Sequence, residues 1–205
     1  MAFPFLTVFI IFLIFLNVKK HSAEKKERES RNRFWEREDI ANSTPKKDIS
    51  SLNYISVPFD EFPMPTSEDD PEIHVLYQKL VDLSTEQILN LTGYSNTDLK
   101  ITYGYANLQT LIKCDQNFTF LCKLLHQLGE RYHQGGSDTK AIQVLEFAVS
   151  CQSDISGTYL LLAQLYSSRN QQYRIPDLIN RAQNLKSLSR EIIIRHLTDF
   201  VHTEE

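Results

Sequence analysis

Four side chains of one predicted helix have the chemistry of metal ligands or of acid–base catalysts. Cys122 and His126 are four residues apart and share a helix face, and His133 lies two turns further on. A zinc site needs four ligands, and the third and fourth are not evident, because the chain has no C-x-x-C or H-x-x-x-H pair. His126 with Glu130 could form an acid–base pair, but an i, i+4 pair on a helix surface more often gives only local electrostatics. The Walker A, G-x-G-x-x-G and G-x-S-x-G motifs are also missing from the sequence, so we predict no enzyme, no metal site and no cofactor.

The composition is typical of a globular protein with additional segments. The chain has 205 residues, of which 41% are hydrophobic and 23% are charged, a size that suits one domain with extensions. Three cysteines are too few for a disulfide scaffold and leave at least one of them unpaired. A net charge of −4 argues against a general affinity for nucleic acid. The partner itself is unknown from the sequence.

The N-terminal segment 1–18, MAFPFLTVFIIFLIFLNV, contains no charged side chain. As a helix it would span about 27 Å, close to the roughly 30 Å of a bilayer's hydrocarbon core, and we predict a transmembrane anchor over residues 1–18. One alternative is a cleaved signal peptide, but no basic residue precedes the apolar run and no A-x-A-like site follows it before Lys19. The other alternative, a buried core helix, would need a polar face that this segment lacks.

Eight basic side chains follow the apolar run between residues 19 and 37. The positive-inside rule therefore places the C-terminal part of the chain in the cytoplasm, as a single-pass protein of the cell membrane. A reducing compartment also suits the three cysteines, which would stay as thiols. Contact with the lipid bilayer is thus predicted for residues 1–18, and residues 19–37 are predicted to form a solvated stalk rather than a lipid-bound segment.

Residues 19–70 are predicted to be this charged juxtamembrane stalk followed by a linker, because residues 38–70 contain four prolines and lack helical periodicity. Residues 52–64, LNYISVPFDEFPM, are nevertheless too apolar to remain in water. Pro58 and Pro63 favour extended geometry there. We predict that this segment, the arm, is extended and packs on the following domain, and the alternative is a docking peptide for another protein.

From Pro71 onward apolar residues recur with the 3.6-residue period of an α-helix, which predicts an all-α domain over residues 71–205. Pro71 after Asp70 has the pattern of a helix start. A second helix is predicted over residues 97–113 and is expected to break at residues 115–117. With a last helix at about residues 189–201, we predict about six or seven helices in this domain.

The most specific signal in the sequence is a 34-residue repetition. Tyr132 recurs as Tyr166, and the small residue Gly129 recurs as Ala163, which would let a neighbouring helix approach closely at both places. Seven positions repeat in this way, at Leu125 and Tyr159, Leu128 and Leu162, Gly129 and Ala163, Tyr132 and Tyr166, Ala141 and Ile175, Leu145 and Ile179, and Ala148 and Ala182. Two unrelated amphipathic hairpins that match by coincidence are the alternative.

This pattern resembles the tetratricopeptide repeat, a helix–turn–helix unit with the same 34-residue period, over residues 122–189. Leu125, Leu145 and Ser153 stand where that family usually has Trp, Phe and Pro. The resemblance implies an array of antiparallel helical hairpins whose first helices line a concave face for a protein or peptide partner. That face would contain Lys123, His126, Glu130, His133, Leu160, Gln164 and Ser167. Because Glu130 stands where the carboxylate-clamp members of the family have Asn, that activity is not implied.

Together these features predict a membrane-anchored, cytoplasm-facing helical-repeat protein that acts as a protein–protein interaction or scaffold module. An exported or secreted helical-repeat protein, with the N-terminus as its signal peptide, is the second hypothesis. A small enzyme or metal protein is the third, and no group of residues supports it.

Overall fold

The computed structural model describes residues 4–204, apart from the side chains of residues 4–7, 11 and 202–204. Helices and 3-10 turns make up all the regular structure of this part of the chain, so the predicted all-α class is confirmed for it. The α-helices are α1 (Pro4–Ser43), α2 (Pro71–Leu83), α3 (Asn96–Tyr103), α4 (Leu108–Gln134), α5 (Asp138–Ser150), α6 (Ser156–Ser168), α7 (Ile175–Gln183) and α8 (Arg190–Glu204). The 3-10 turns are Tyr105–Asn107 and Gln172–Arg174.

The chain divides into two compact units. The first unit comprises Met1–Lys47 together with Ser95–Leu108. The second comprises Asp48–Tyr94 together with Gln109–Glu205. Helices α1 and α3 therefore belong to the first unit, and the repeat region lies entirely in the second.

In the first unit, the C-terminal turns of α1 hold α3. Glu38 accepts hydrogen bonds from Thr97 and from Lys100, and Lys100 Nζ also donates to Asn42 Oδ1 at 2.8 Å. Ala41, on the same turns, is fully buried. The prediction that residue 38 begins a non-helical linker is therefore wrong for residues 38–43, because these tertiary contacts stabilise the end of α1.

A glycine divides the predicted helix 97–113 within the first unit. Gly104 has φ = 93°, a left-handed conformation that ends α3. A Cβ atom at this position would also lie 2.7 Å from Lys46 Cα. The helix predicted over residues 97–113 is therefore two helices, because the backbone at Gly104 is both left-handed and in close contact with another segment.

Helix α4 then runs without interruption through residues 115–117, where a break was predicted. The polar side chains there bond outside the helix and leave its backbone ladder intact. Asp115 Oδ1 accepts from the Leu91 amide at 3.0 Å, and Asn117 Nδ2 donates to the Gln87 carbonyl at 2.9 Å. The predicted break is thus wrong, since these turn-forming residues anchor the loop between α2 and α3 instead.

No helix in the described part of the chain is both long enough and apolar enough to cross a membrane. Residues 1–3 of the predicted anchor, and the side chains of residues 4–7 and 11, lie outside the described residues. The large apolar side chains described between Val8 and Val18 are each at least 46% exposed. This end of α1 therefore presents an apolar surface that the rest of the described chain does not cover.

The arm packs on helices of the second unit. Phe62 is 6% exposed, and its ring meets that of Phe147 edge-on at a centroid distance of 5.8 Å. The next residue, Pro63, accepts a hydrogen bond from Tyr132 Oη at 3.1 Å. The arm has no regular secondary structure, and a hydrogen-bonded turn at residues 58–61 interrupts the extended geometry predicted for it.

Candidate partner-binding face

The 34-residue repetition is visible in the burial of side chains. Of the fourteen residues at the seven paired positions, all are buried except Ile179, which is partly buried. Gly129 shows why a small residue is needed, because a Cβ atom there would lie 2.5 Å from Leu145 Cδ2. Its counterpart Ala163 is 0% exposed. The repetition therefore has a packing role, with α4 and α5 in close contact at the first small residue.

Helices α4 and α6 end in the same turn, one repeat period apart. The residue in left-handed conformation is Gly136 after α4 (φ = 74°) and Asn170 after α6 (φ = 56°). In each turn the following amide donates to the carbonyl of the repeated tyrosine, Tyr132 or Tyr166, at 2.8 Å. Such a bond satisfies a carbonyl that the end of a helix leaves free. The two hairpins thus share turn geometry as well as burial.

The second helices and the last helix keep the same spacing. α5 begins at Asp138, and the 3-10 turn that leads into α7 begins one repeat period later, at Gln172. α8 begins at Arg190, one repeat period after the start of α6 at Ser156, and packs against α6 and α7. The helix predicted at about residues 189–201 is confirmed. The second unit therefore holds two hairpins, α4–α5 and α6–α7, followed by one further helix.

The first helices of the two hairpins, α4 and α6, line a shallow cavity of about 230 Å³. Five of the seven residues predicted for the concave face line it, namely His126, Glu130, His133, Leu160 and Gln164. Three further lining residues were not predicted, namely Gln134, Gly157 and Leu161. The cavity and the residues around it are called the α4–α6 face below.

Two predicted residues lie outside the lining of this cavity. Lys123 is exposed on α4. The Ser167 hydroxyl is buried and has no hydrogen-bond partner among the described residues. The 34-residue register therefore groups five of the seven predicted residues around one cavity, but it does not by itself show which side chains at the ends reach that cavity.

His126 bridges the two helices of the α4–α6 face. A Cβ atom at Gly157 would lie 2.7 Å from His126 Cε1, so this glycine makes room for the imidazole ring. His126 Nδ1 lies 3.3 Å from Thr158 Oγ1, and His126 Nε2 lies 3.6 Å from Glu130 Oε1. In the sequence Gly157 is only a small residue in the first turn of α6. Its role is clear only from the structure, where the His126 ring lies against it.

The face combines polar groups with a small apolar surface. His133 Nδ1 lies 2.7 Å from Asp138 Oδ1, which ties the end of α4 to the start of α5. Leu160 and Leu161 are partly buried, and Gln164 is exposed. A peptide could form hydrogen bonds with the histidine, amide and carboxylate groups while an apolar side chain rests on the leucines.

The described residues contain no cluster of side chains of the metal-ligand type, and their cysteine thiols are buried. Among them, no three His, Cys, Asp or Glu side chains come together as metal ligands would. The three cysteines are buried and unpaired, and burial raises the pKa of Cys122 to about 12 and that of Cys151 to about 11. Because the thiolate is the reactive form, these two thiols are poor nucleophiles at neutral pH.

Comparison with known proteins identifies no relative, since no family model, curated protein sequence or solved structure matches the chain. The function of the α4–α6 face must therefore be inferred from its own geometry.

Proposed function

We propose that this protein is a membrane-anchored scaffold whose tetratricopeptide-like hairpins face the cytoplasm and bind a protein or peptide partner on the α4–α6 face. The observation that carries the proposal is that five residues chosen by the 34-residue register line one cavity. Repeat arrays of this kind use stacked helices to build an elongated binding surface. The repeated burial and turn geometry of the two hairpins support such an array.

The size of the cavity favours a peptide over a small molecule. Cavities that bury a drug-sized ligand usually measure about 300–1,000 Å³, and the α4–α6 cavity measures about 230 Å³. A space of that size accommodates one or two side chains of a larger partner. Glu130 and Gln164 can then bond to the partner's main chain beside the cavity.

The membrane part of the proposal rests on α1. Its described apolar side chains between Val8 and Val18 form an exposed surface, which a bilayer would cover at a gain in free energy. The same helix continues into the segment with eight basic residues, whose charge favours the cytoplasmic side. Anchor and stalk would thus be a single helix that precedes the repeat region along the chain.

The α4–α6 face is tested by photo-crosslinking in the cells that make the protein. A benzoylphenylalanine at position 164 is expected to form a discrete adduct with the partner, because Gln164 is exposed beside the cavity. The matched control is position 183, an exposed glutamine on α7 outside that cavity. Glu130→Lys should remove the adduct formed at position 164. Equal adducts from both positions, or an adduct that survives Glu130→Lys, would count against the α4–α6 face.

A further inference from the structure

A tyrosine and a cation in the first hairpin hold the chain's own arm and Asp69, which follows it. Tyr132 Oη donates to the Pro63 carbonyl at 3.1 Å, and Lys140 Nζ donates to Asp69 Oδ2 at 2.7 Å. The Lys140 ammonium also lies 5.2 Å from the centroid of the Tyr132 ring. These two side chains therefore recognise a main-chain carbonyl at a proline and a carboxylate six residues later in the same segment.

The same pair recurs one repeat period later. Arg174 lies over the Tyr166 ring, with Cζ 4.5 Å from the centroid. Their shared partner is Glu146 of α5, whose Oε1 accepts from Tyr166 Oη at 2.8 Å and lies 2.6 Å from Arg174 Nη1. Tyr166 and Arg174 correspond to Tyr132 and Lys140 of the first hairpin. In the second hairpin a single carboxylate, that of Glu146, bonds to both side chains.

A cavity of about 650 Å³ lies beside this second pair. The arm, at residues 58–63, lines one part of it, and α5, Leu162 and Tyr166 of α6, and residues 173–181 line the rest. Phe62 and Phe147 give it aromatic surface, and Tyr173, 76% exposed, adds a further ring. The cavity therefore combines aromatic rings, prolines and an arginine–tyrosine pair, and its volume is within the range of ligand sites.

We propose that this cavity, the α5–α7 groove, docks an extended, proline-containing segment of another protein that carries a carboxylate. Aromatic grooves suit such segments because proline restricts the free peptide and lowers the entropy lost on binding. The partner's carboxylate would replace Glu146 on Arg174, as Asp69 bonds to Lys140 in the first hairpin. Phe62 and Pro63 of the arm, together with Asp69 after it, show the chemistry that such a pair accepts. This proposal uses different residues from the α4–α6 face and does not depend on it.

The probe for the test is a fluorescein-labelled peptide with the sequence of residues 58–70, PFDEFPMPTSEDD. It is titrated with the full chain in detergent, and binding is followed by fluorescence anisotropy. We expect saturable binding that Arg174→Gln weakens about tenfold, the effect of losing one charge-assisted hydrogen bond. Glu146→Gln should strengthen binding about threefold, because it removes the competing carboxylate of a partly exposed pair.

Two controls make the result specific to the groove. Arg190→Gln, which changes an exposed arginine paired with its neighbour Glu191 outside the groove, should leave the affinity unchanged. A peptide in which amides replace the carboxylates should bind about tenfold more weakly. Should Arg174→Gln fail to fold, this amide peptide and the variant Tyr166→Phe test the same contacts, and binding unaffected by both would overturn the proposal.

Three other results would overturn the proposal. The first is no saturable binding by either the natural chain or its Glu146→Gln variant. The second is binding that Lys140→Gln abolishes and Arg174→Gln leaves intact, since the peptide would then be exchanging with the chain's own arm. The third is a molar mass, measured by light scattering, that corresponds to a dimer for the natural chain and to a monomer for Arg174→Gln. The occupant of the groove would then be the arm of a second copy.

Discussion

At the scale of single residues, Gly129 and Leu145 show how the repeat depends on volume. The glycine has no side chain to keep α5 at a distance, and a Cβ atom there would lie 2.7 Å from Leu145 Cγ. Glu130 is adjacent in sequence, but 46% of its side chain is exposed. These two neighbours therefore differ in their tolerance of substitution, although both lie in the same helix.

Gly129→Leu should destabilise the protein by about 1–3 kcal/mol, because the larger side chain overpacks the contact between α4 and α5. Helix propensity alone would predict the opposite, since leucine is a better helix former than glycine. The free energy of unfolding is measured by urea denaturation of residues 19–205, followed by circular dichroism. Glu130→Gln is the control and should change it by less than about 0.5 kcal/mol. An unchanged or raised stability for Gly129→Leu would mean that the 34-residue register is wrong.

Glu38 gives the first unit a dependence on pH. The hydrogen bond from Lys100, and then the one from Thr97, lower the pKa of Glu38 below its ordinary value of 4.5. Because the pKa is lower in the folded state, this stabilisation is fully present above about pH 4.5 and is lost as the pH falls through the folded pKa. Wild-type residues 19–205 should therefore lose more stability between about pH 7 and pH 3 than the Glu38→Gln variant.

The measurement is the urea midpoint at the two pH values, with Glu24→Gln as the control. Glu24 lies on the exposed stalk, where its side chain is 3.9 Å from Lys20 Nζ. Glu24→Gln should therefore show the same loss of stability between the two pH values as the wild type. Equal losses of stability in the wild type and in Glu38→Gln would show that the contact with Lys100 does not contribute.

At the scale of elements, the ends of helices depend on partners outside them. α4 continues past Asp115 because that carboxylate binds a loop amide, and α3 stops at Gly104 because the backbone there is left-handed. The arm has no regular structure, yet it buries an aromatic side chain of the second unit's core. The arm is therefore a packed element of the second unit rather than a free linker.

Phe62→Ala should destabilise residues 19–205 by about 3–5 kcal/mol, because it removes a buried ring that packs against Phe147. Met64→Ala is the matched control, since Met64 lies two residues away in the arm and is 64% exposed. It should change the free energy of unfolding by less than about 0.5 kcal/mol. If the two variants were equally stable, the arm would not contribute to the core, and its role as a docking peptide for another protein would gain support.

At the scale of the whole molecule, the charge beside the apolar run bears on the orientation of the chain in a membrane. The eight basic residues after that run favour a cytoplasmic C-terminus. A reporter fused after Glu205 should therefore be active only if it works in the cytoplasm. Replacing Lys19, Lys20, Lys25 and Lys26 with glutamine is the control and should weaken this bias.

Two other outcomes of this experiment would contradict the cytoplasmic orientation, and each supports a different hypothesis. Activity of a reporter that works only outside the membrane would reverse the proposed orientation. A mature chain shortened at its N-terminus, detected by intact mass spectrometry, would support the exported protein with a signal peptide.

Features set by local periodicity can be derived from the sequence alone. Apolar residues every three to four positions specify amphipathic helices, and the 34-residue shift pairs Tyr132 with Tyr166 and Gly129 with Ala163 without any knowledge of contacts. The helical class, the last helix and five residues of the α4–α6 face followed from these patterns. They could be predicted because each depends on residues close together in sequence or on a constant spacing.

Features in which distant segments meet depend on the folded chain as a whole. The extension of α1 to Ser43 depends on Lys100, sixty-two positions after Glu38. The course of α4 depends on contacts with the loop between α2 and α3. Glu146 joins Tyr166 and Arg174 across two hairpins beside the α5–α7 groove. No local pattern encodes such contacts, because their energy comes from groups that become neighbours only when the chain has folded.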